Sequence, residues 1–189
     1  MTEKLQCTLI VVLILFSSAL ADPDNIKVDV SREGDSYNFN LYFVADAPVD
    51  HVVDILTDYN NISRLSPAIK SSRIIDSEQP DVTRVEIISE NCILFFCKEL
   101  KRVEEIRLND NYDIETTIIP GMSDFKSGAG LWVFMQQGDE TIVTLQAEVV
   151  PNFWVPPFIG PHSIKKNIRH QLRHTANMVN ALVATHQNE

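Results

Sequence analysis

Residues 37–43 read Tyr-Asn-Phe-Asn-Leu-Tyr-Phe, with a large apolar side chain at every odd position. A period of two is that of a strand with one buried face. Before it, residues 22–30 lead in through Gly34-Asp35, a turn signal. After it, Asp46-Ala47-Pro48 predicts a helix start, with Asp46 as the capping acid and proline tolerated in the first turn. Val49, Val52, Val53, Leu56 and Tyr59 recur at helical spacing. Asn60-Asn61 ends that helix, and a short helical turn over 62–65 stops before Pro67.

From Pro67 onward the pattern is β for some eighty residues. Strands are expected at 69–76, 82–89, 91–96, 100–108, 112–119, 131–136 and 141–150, with 121–130 a glycine-bearing loop. Residues 151–161 form a proline- and aromatic-rich connector. A long helix is expected over 162–185, with Ile164, Ile168, Leu172, Ala176, Val179 and Val183 as its apolar stripe. Strands joined by short turns imply an antiparallel sheet, and the helix must bury its stripe on that sheet. The expected class is α+β: a strongly curved antiparallel sheet wrapped around one C-terminal helix, with two short helices after the first strand.

The first residues change where this domain is expected to work. Residues 1–21 carry a charged start, a short apolar run from Leu9 to Phe16, and Ala19-Leu20-Ala21, a small-x-small cleavage site. The run is shorter than the roughly 20 residues that span a bilayer. Residues 1–21 are therefore expected to be a signal peptide and 22–189 one exported domain, periplasmic or secreted. A net charge of −10 argues against nucleic acid as a partner. Export leaves Cys92 and Cys97. They are a disulfide candidate, because their spacing suits two sides of a hairpin turn; two buried free thiols are the competing reading.

Several motifs resemble those of a known superfamily. Residues 45–59, Ala-Asp-Ala-Pro-Val-Asp-His-Val-Val-Asp-Ile-Leu-Thr-Asp-Tyr, resemble its opening, where a strand ends in a small-Pro step and the helix closes on Leu-x-Asp-Tyr. Ile69-Lys70-Ser71-Ser72 resembles the strand that follows. Residues 125–134, Phe-Lys-Ser-Gly-Ala-Gly-Leu-Trp-Val-Phe, resemble its Phe-x-x-x-x-Gly-x-Trp-x-Phe strand, and residues 157–161, Pro-Phe-Ile-Gly-Pro, the lead into its last helix. The chain thus resembles the START-like helix-grip superfamily (SRPBCC) over nearly all of residues 22–189, in particular the polyketide cyclase and coenzyme Q-binding proteins. The resemblance implies an apolar ligand, such as a lipid, isoprenoid, quinone or aromatic polyketide, held between sheet and helix. Export and the cysteine pair depart from that subgroup.

On this reading the ligand-binding candidates are Phe95 or Phe96, Trp132 or Phe134, Ile168, Leu172 and Ala176, with Trp154 and Phe158 guarding the mouth and Met122 and Phe125 as a gate. A solid core is the competing expectation. Phe153, Trp154 and Phe158 lie next to Lys165, Lys166 and Arg169, and aromatics beside cations are the signature of a peripheral membrane contact; the competing reading has the aromatics cap the cavity mouth and the cations solvate the outer face of the helix. Chemistry is thinly represented. There is no phosphate loop, nucleophile elbow or zinc-spaced cysteine set. His170 and His174 stand one turn apart, but Arg173 beside them disfavours a cation. No metal, cofactor or catalytic residue is assigned. The expected function is a monomeric binding protein. The alternative is a cyclase or dehydratase, for which Tyr42, His51, Arg84 and Glu86 are the nameable groups.

Overall fold

Period-two segments pair with their neighbours in the chain, and among the described residues only one pairing bridges distant segments. In the computed structural model, which describes residues 25–93, 96–157 and 159–186, eight strands form one sheet. They are β1 (Lys27–Glu33), β2 (Ser36–Ala45), β3 (Ile69–Ile75), β4 (Thr83–Ile93), β5 (Phe96–Leu108), β6 (Ile114–Ile118), β7 (Phe125–Gln137) and β8 (Glu140–Pro151). Their spatial order is β1-β2-β8-β7-β6-β5-β4-β3, every pair antiparallel. The non-sequential pair, β2 with β8, matches Phe43 to Val143 and Leu41 to Leu145, so two apolar faces combine into one. Helix α1 (Val49–Thr57) and a 3-10 helix (Tyr59–Leu65) separate β2 from β3, and helix α2 (Gly160–His186) closes the chain against β1 and β2.

The core lies where α2 meets the β2–β8 pairing. Phe43, Val52, Val143, Ala176, Val179 and Val183 are all buried there. Curvature is needed to wrap the sheet around a helix, and two glycines of β7 permit it. A Cβ on Gly128 would meet Ile118 Cδ1 at 2.5 Å and the Glu148 carbonyl at 3.0 Å; one on Gly130 would meet Thr116 Oγ1 at 2.8 Å. A glycine inside a strand marks such close approach.

The structure corrects three local expectations. Asp46 does not cap α1: the helix starts at Val49 behind Pro48, and no side chain caps it. The expected loop over 121–130 is mostly strand, because β7 begins at Phe125; only Pro120–Met122 forms a short 3-10 turn. The segments over 82–89 and 91–96 are not two strands: β4 runs unbroken through Ile93, and β5 returns from Phe96. The signal-peptide residues lie outside the described residues. No helix among those described is long and apolar enough to cross a membrane.

Gly128→Ala should destabilise the fold by about 1–3 kcal/mol, because the added methyl meets backbone as well as Ile118. Urea denaturation measures this; a cost below about 0.5 kcal/mol would show that the sheet relaxes there freely.

Candidate ligand-binding cleft

The apolar stripe of α2 is sealed at one end only. Ala176, Val179 and Val183 are buried, whereas Ile164, Ile168 and Leu172, earlier on the same stripe, are half-buried. The sheet shows the same division. Leu41, Phe134, Val143 and Leu145 are buried, and Phe39, Trp132, Ala147 and Val149, further along the same faces, are half-buried, although Tyr37, opposite Val149, is buried again. Inward-facing apolar groups that stay half-buried mark the first four turns of α2 as the candidate cleft.

Polar struts hold that half of the helix. Asn167 Nδ2 donates to Asn91 Oδ1 of β4 at 2.8 Å. Gln171 Nε2 donates to Asn167 Oδ1 at 3.3 Å, and Ser66 Oγ donates to Gln171 Oε1. Amides on the helix face span the gap by hydrogen bonding where an apolar residue would draw the helix down.

Three more polar groups meet at the cleft. Leu100, Arg102, Glu104 and Ile106 share one side of β5, the side on which Ile87 and Val85 of β4 are buried. Glu104 is only 9% exposed, and Arg102 Nε stands 3.2 Å from its Oε2. Tyr59, on the 3-10 helix, packs against the core. Burial, and to a smaller degree the Glu104 charge, push its phenol up to about 12 from the ordinary 10.0.

At the mouth the β4–β5 hairpin is stapled by a disulfide between Cys92 and Cys97, which face each other across the ladder. The paired reading of the cysteines therefore holds, and both are exposed rather than buried. Lys98, beside the staple, sits 4.7 Å from the centre of the Phe153 ring. Phe153 meets Phe125 edge-on at 6.2 Å.

The expected site residues divide accordingly. Trp132, Ile168 and Leu172 fall in the half-buried stretch between sheet and helix, and Phe125 meets Phe153 edge-on. Phe134 and Ala176 belong instead to the sealed core, since they fall at the end where helix and sheet touch. Phe96 lies on β5, and Phe95 and Phe158 lie outside the described residues. Trp154 projects to solvent at 79% exposure, with Ile159 and Met122 also exposed. Of the cations, Lys166 and Arg169 are exposed and Lys165 is half-buried. The four groups named for an enzyme do not meet in the cleft. Arg84 and Glu86 face outward, where Arg84 Nη2 donates to Glu105 Oε1 at 2.8 Å and Glu86 pairs with Arg73 and Lys101. Tyr42 lies under Lys27, and His51 lies on α1. Tyr59, Arg102 and Glu104 were not anticipated. Alternation was the available signal: Arg102 and Glu104 share parity with Leu100 and Ile106, so two charges fall on an inward face.

Two open depressions are present. One of about 560 Å³ runs over β2, β8, β7 and β6, lined by Phe39, Gly130 and Ala147 as well as Asn38, Asn40 and Glu148, and one of about 470 Å³ adjoins His51, Asp54, Asp58 and Arg64. Among the described residues, no three of His, Cys, Asp and Glu cluster to hold a metal ion.

Residues 45–172 match the model of the polyketide cyclase/dehydrase and lipid transport family. The chain belongs to this family. No curated protein matches it. Among solved structures, a STAR-related lipid transfer protein fragment from Xanthomonas axonopodis superposes with a TM-score of 0.66 at 16% identity, covering 86% of this chain and 96% of the other. The Zhui aromatase/cyclase from Streptomyces gives 0.66 at 12% identity, covering 79% and 94%. A START superfamily protein from Mycobacterium smegmatis gives 0.62 at 18% identity, covering 78% and 97%. This family member therefore has the START helix-grip fold that the motif order implied.

The raised Tyr59 phenol makes stability fall at alkaline pH. A group whose pKa is higher when folded contributes fully below its unfolded value, here 10.0, and loses that contribution as pH rises towards about 12. Alkaline absorbance titration with urea melts should show this. Tyr59→Phe should remove it, while Glu104→Gln should lower the phenol only in part, since burial is the larger cause.

Proposed function

We propose that this family member is an exported, monomeric protein that holds or carries a hydrophobic molecule, a lipid, isoprenoid or quinone, or aromatic polyketide, in the cleft between the sheet and the first half of α2. The observation that carries this reading is apolar interior surface left unsealed. Phe39, Trp132, Ala147, Ile168 and Leu172 face inward yet stay half-buried, and a ligand would remove that surface from water. The lipid transfer protein and the aromatase/cyclase that share the fold are named for such molecules, which supports the reading by analogy. Export rests on the sequence of residues 1–21, and the exposed Cys92–Cys97 disulfide suits an oxidising compartment.

Loading and unloading would take place at an anionic membrane. Helix α2 contains no Asp or Glu, in a chain of net charge −10. Lys166 and Arg169 are exposed along it, and Trp154 and Ile159 project just before it. Cations beside exposed apolar groups bind anionic headgroups. Phe153 contributes less than its sequence position suggested, because it is turned onto Phe125 and Lys98.

A second reading, a cyclase or dehydratase, is favoured by one observation: Tyr59 stands near a buried carboxylate, Glu104. Product formation from a bound polyketide, lost in Tyr59→Phe while binding persists, would establish it.

Ala147→Trp should fill the cleft and weaken uptake of an apolar fluorescent probe at least tenfold while the melting temperature changes little; unchanged uptake would sink the cleft as the site. Sedimentation with phosphatidylglycerol-containing vesicles should fall severalfold in Lys166→Glu/Arg169→Glu and be absent with purely zwitterionic vesicles. Equal sedimentation of the variant would remove the membrane from the proposal.

A further inference from the structure

The Cys92–Cys97 disulfide is placed to hold one contact rather than the whole fold. Its cysteines are only 5 positions apart in the chain. The entropy that a cross-link removes from the unfolded chain grows with the loop it closes, so a short loop adds least to global stability. What the bridge does fix is the end of the β4–β5 ladder, where rungs fray most easily. The rung beside it sets Asn91 opposite Lys98, and both side chains reach off the sheet. Asn91 Oδ1 accepts from Asn167 Nδ2 of α2 at 2.8 Å, and Asn91 Nδ2 donates to Ser89 Oγ at 3.2 Å. Lys98 Nζ lies 4.7 Å from the centre of the Phe153 ring, in the connector that leads into α2. Opposed residues of an antiparallel pair share a face, and successive residues alternate. The Asn91–Lys98 rung therefore faces the helix, and the Cys92–Cys97 rung faces away, where both cysteines are exposed. A soluble thiol reaches the bridge from outside, while the rung it fixes holds the helix from inside. One turn further along α2, Ser66 Oγ donates to Gln171 Oε1, an anchor that does not depend on the hairpin.

We infer that the Cys92–Cys97 bridge is a redox-sensitive latch on the cleft. Oxidised, it holds the Asn91–Lys98 rung against α2 and its connector. Reduced, the rung frays, and the helix from Gly160 to Ile168 lifts from the sheet about its anchor at Gln171, which opens the cleft. The inference rests on the carrier reading and adds its regulation. The opening reaction is exchange with a dithiol. A thiolate of the dithiol attacks one sulfur, the Cys92–Cys97 bond breaks, and the second thiol of the reductant resolves the mixed disulfide. The chain gains two electrons and two protons as free thiols, and the dithiol leaves as its own disulfide. In an oxidising compartment the bridge persists and the cleft stays closed.

Two measurements on the exported chain, oxidised or reduced with dithiothreitol, test this. The first is amide hydrogen exchange, which needs no ligand. On reduction, protection over residues 160–168 should fall about tenfold, while that over 176–183 changes by less than about twofold. Unchanged protection over 160–168, or an equal loss along the whole helix, would overturn the latch. The second is the rate at which bound Nile red passes into excess phosphatidylcholine vesicles, expected to rise about tenfold on reduction. Cys92→Ser/Cys97→Ser should release the dye at the reduced rate and no longer respond to dithiothreitol. Asn91→Ala/Lys98→Ala should also release it at the reduced rate with the bridge intact, because the contacts themselves are gone. Release at the oxidised rate by either variant sinks the inference. Nile red bound by neither form defeats the carrier reading, and the gating of that site with it, whereas the exchange pattern judges the latch by itself.

Discussion

The structure depends on how much of one helix the sheet can cover. The apolar stripe of α2 runs from Ile164 to Val183, but the curved sheet seals it only from Ala176 onward. That sealed half, with Phe43, Val52 and Val143, is a close-packed core of the kind that contributes most of a domain's stability. The other half is spanned by side-chain amides and left open. One helix thus holds the domain together along its second half and leaves its apolar stripe only half-covered along its first.

Curvature and polarity set the boundary between these roles. Gly128 and Gly130 let Ile118 and Thr116 approach β7 closely, so the sheet bends around its concave side without filling it. Asn167 and Gln171 put polar groups beside the apolar stripe of α2, and hydrogen bonds tie them to Asn91 and Ser66. Arg102 and Glu104 then put a neutral ion pair on the floor. Such a pair adds little net stability once desolvation is counted.

The outer surface carries an opposite division of charge. Arg73, Glu86 and Lys101 form a small network on the convex side of β3–β5, and their hydrogen bonds, Lys101 first and Arg73 with it, hold the Glu86 carboxyl below its ordinary value. Exposed networks of this kind contribute modestly to stability. The exposed cations of α2, by contrast, have no carboxylate within ion-pair distance among the described residues, and lie beside the projecting Trp154.

The sequence by itself determined most of the elements and their order, though not the extent of β7 or the continuity of β4, and alternation marked the inward faces of β2, β4 and β8. It did so because period two and period 3.6 are local properties that survive without tertiary information. The closing helix and the family motifs followed from the same local signals. Only the tertiary structure decided which inward residues are sealed. Phe134 and Trp132 are equally apolar, two residues apart on one face, yet one is core and the other lines the cleft, because the path of α2 over the sheet is set by contacts distant in sequence. The same holds for Tyr59 and Glu104, which come together from a 3-10 helix and a strand some forty-five positions apart, and for Phe153, which its neighbours in the chain suggested would face a membrane and which packs on Phe125 and Lys98. The cysteine pair stood between these cases: its spacing allowed a bridge, and the continuous β4–β5 ladder, which sets Cys92 opposite Cys97, made it.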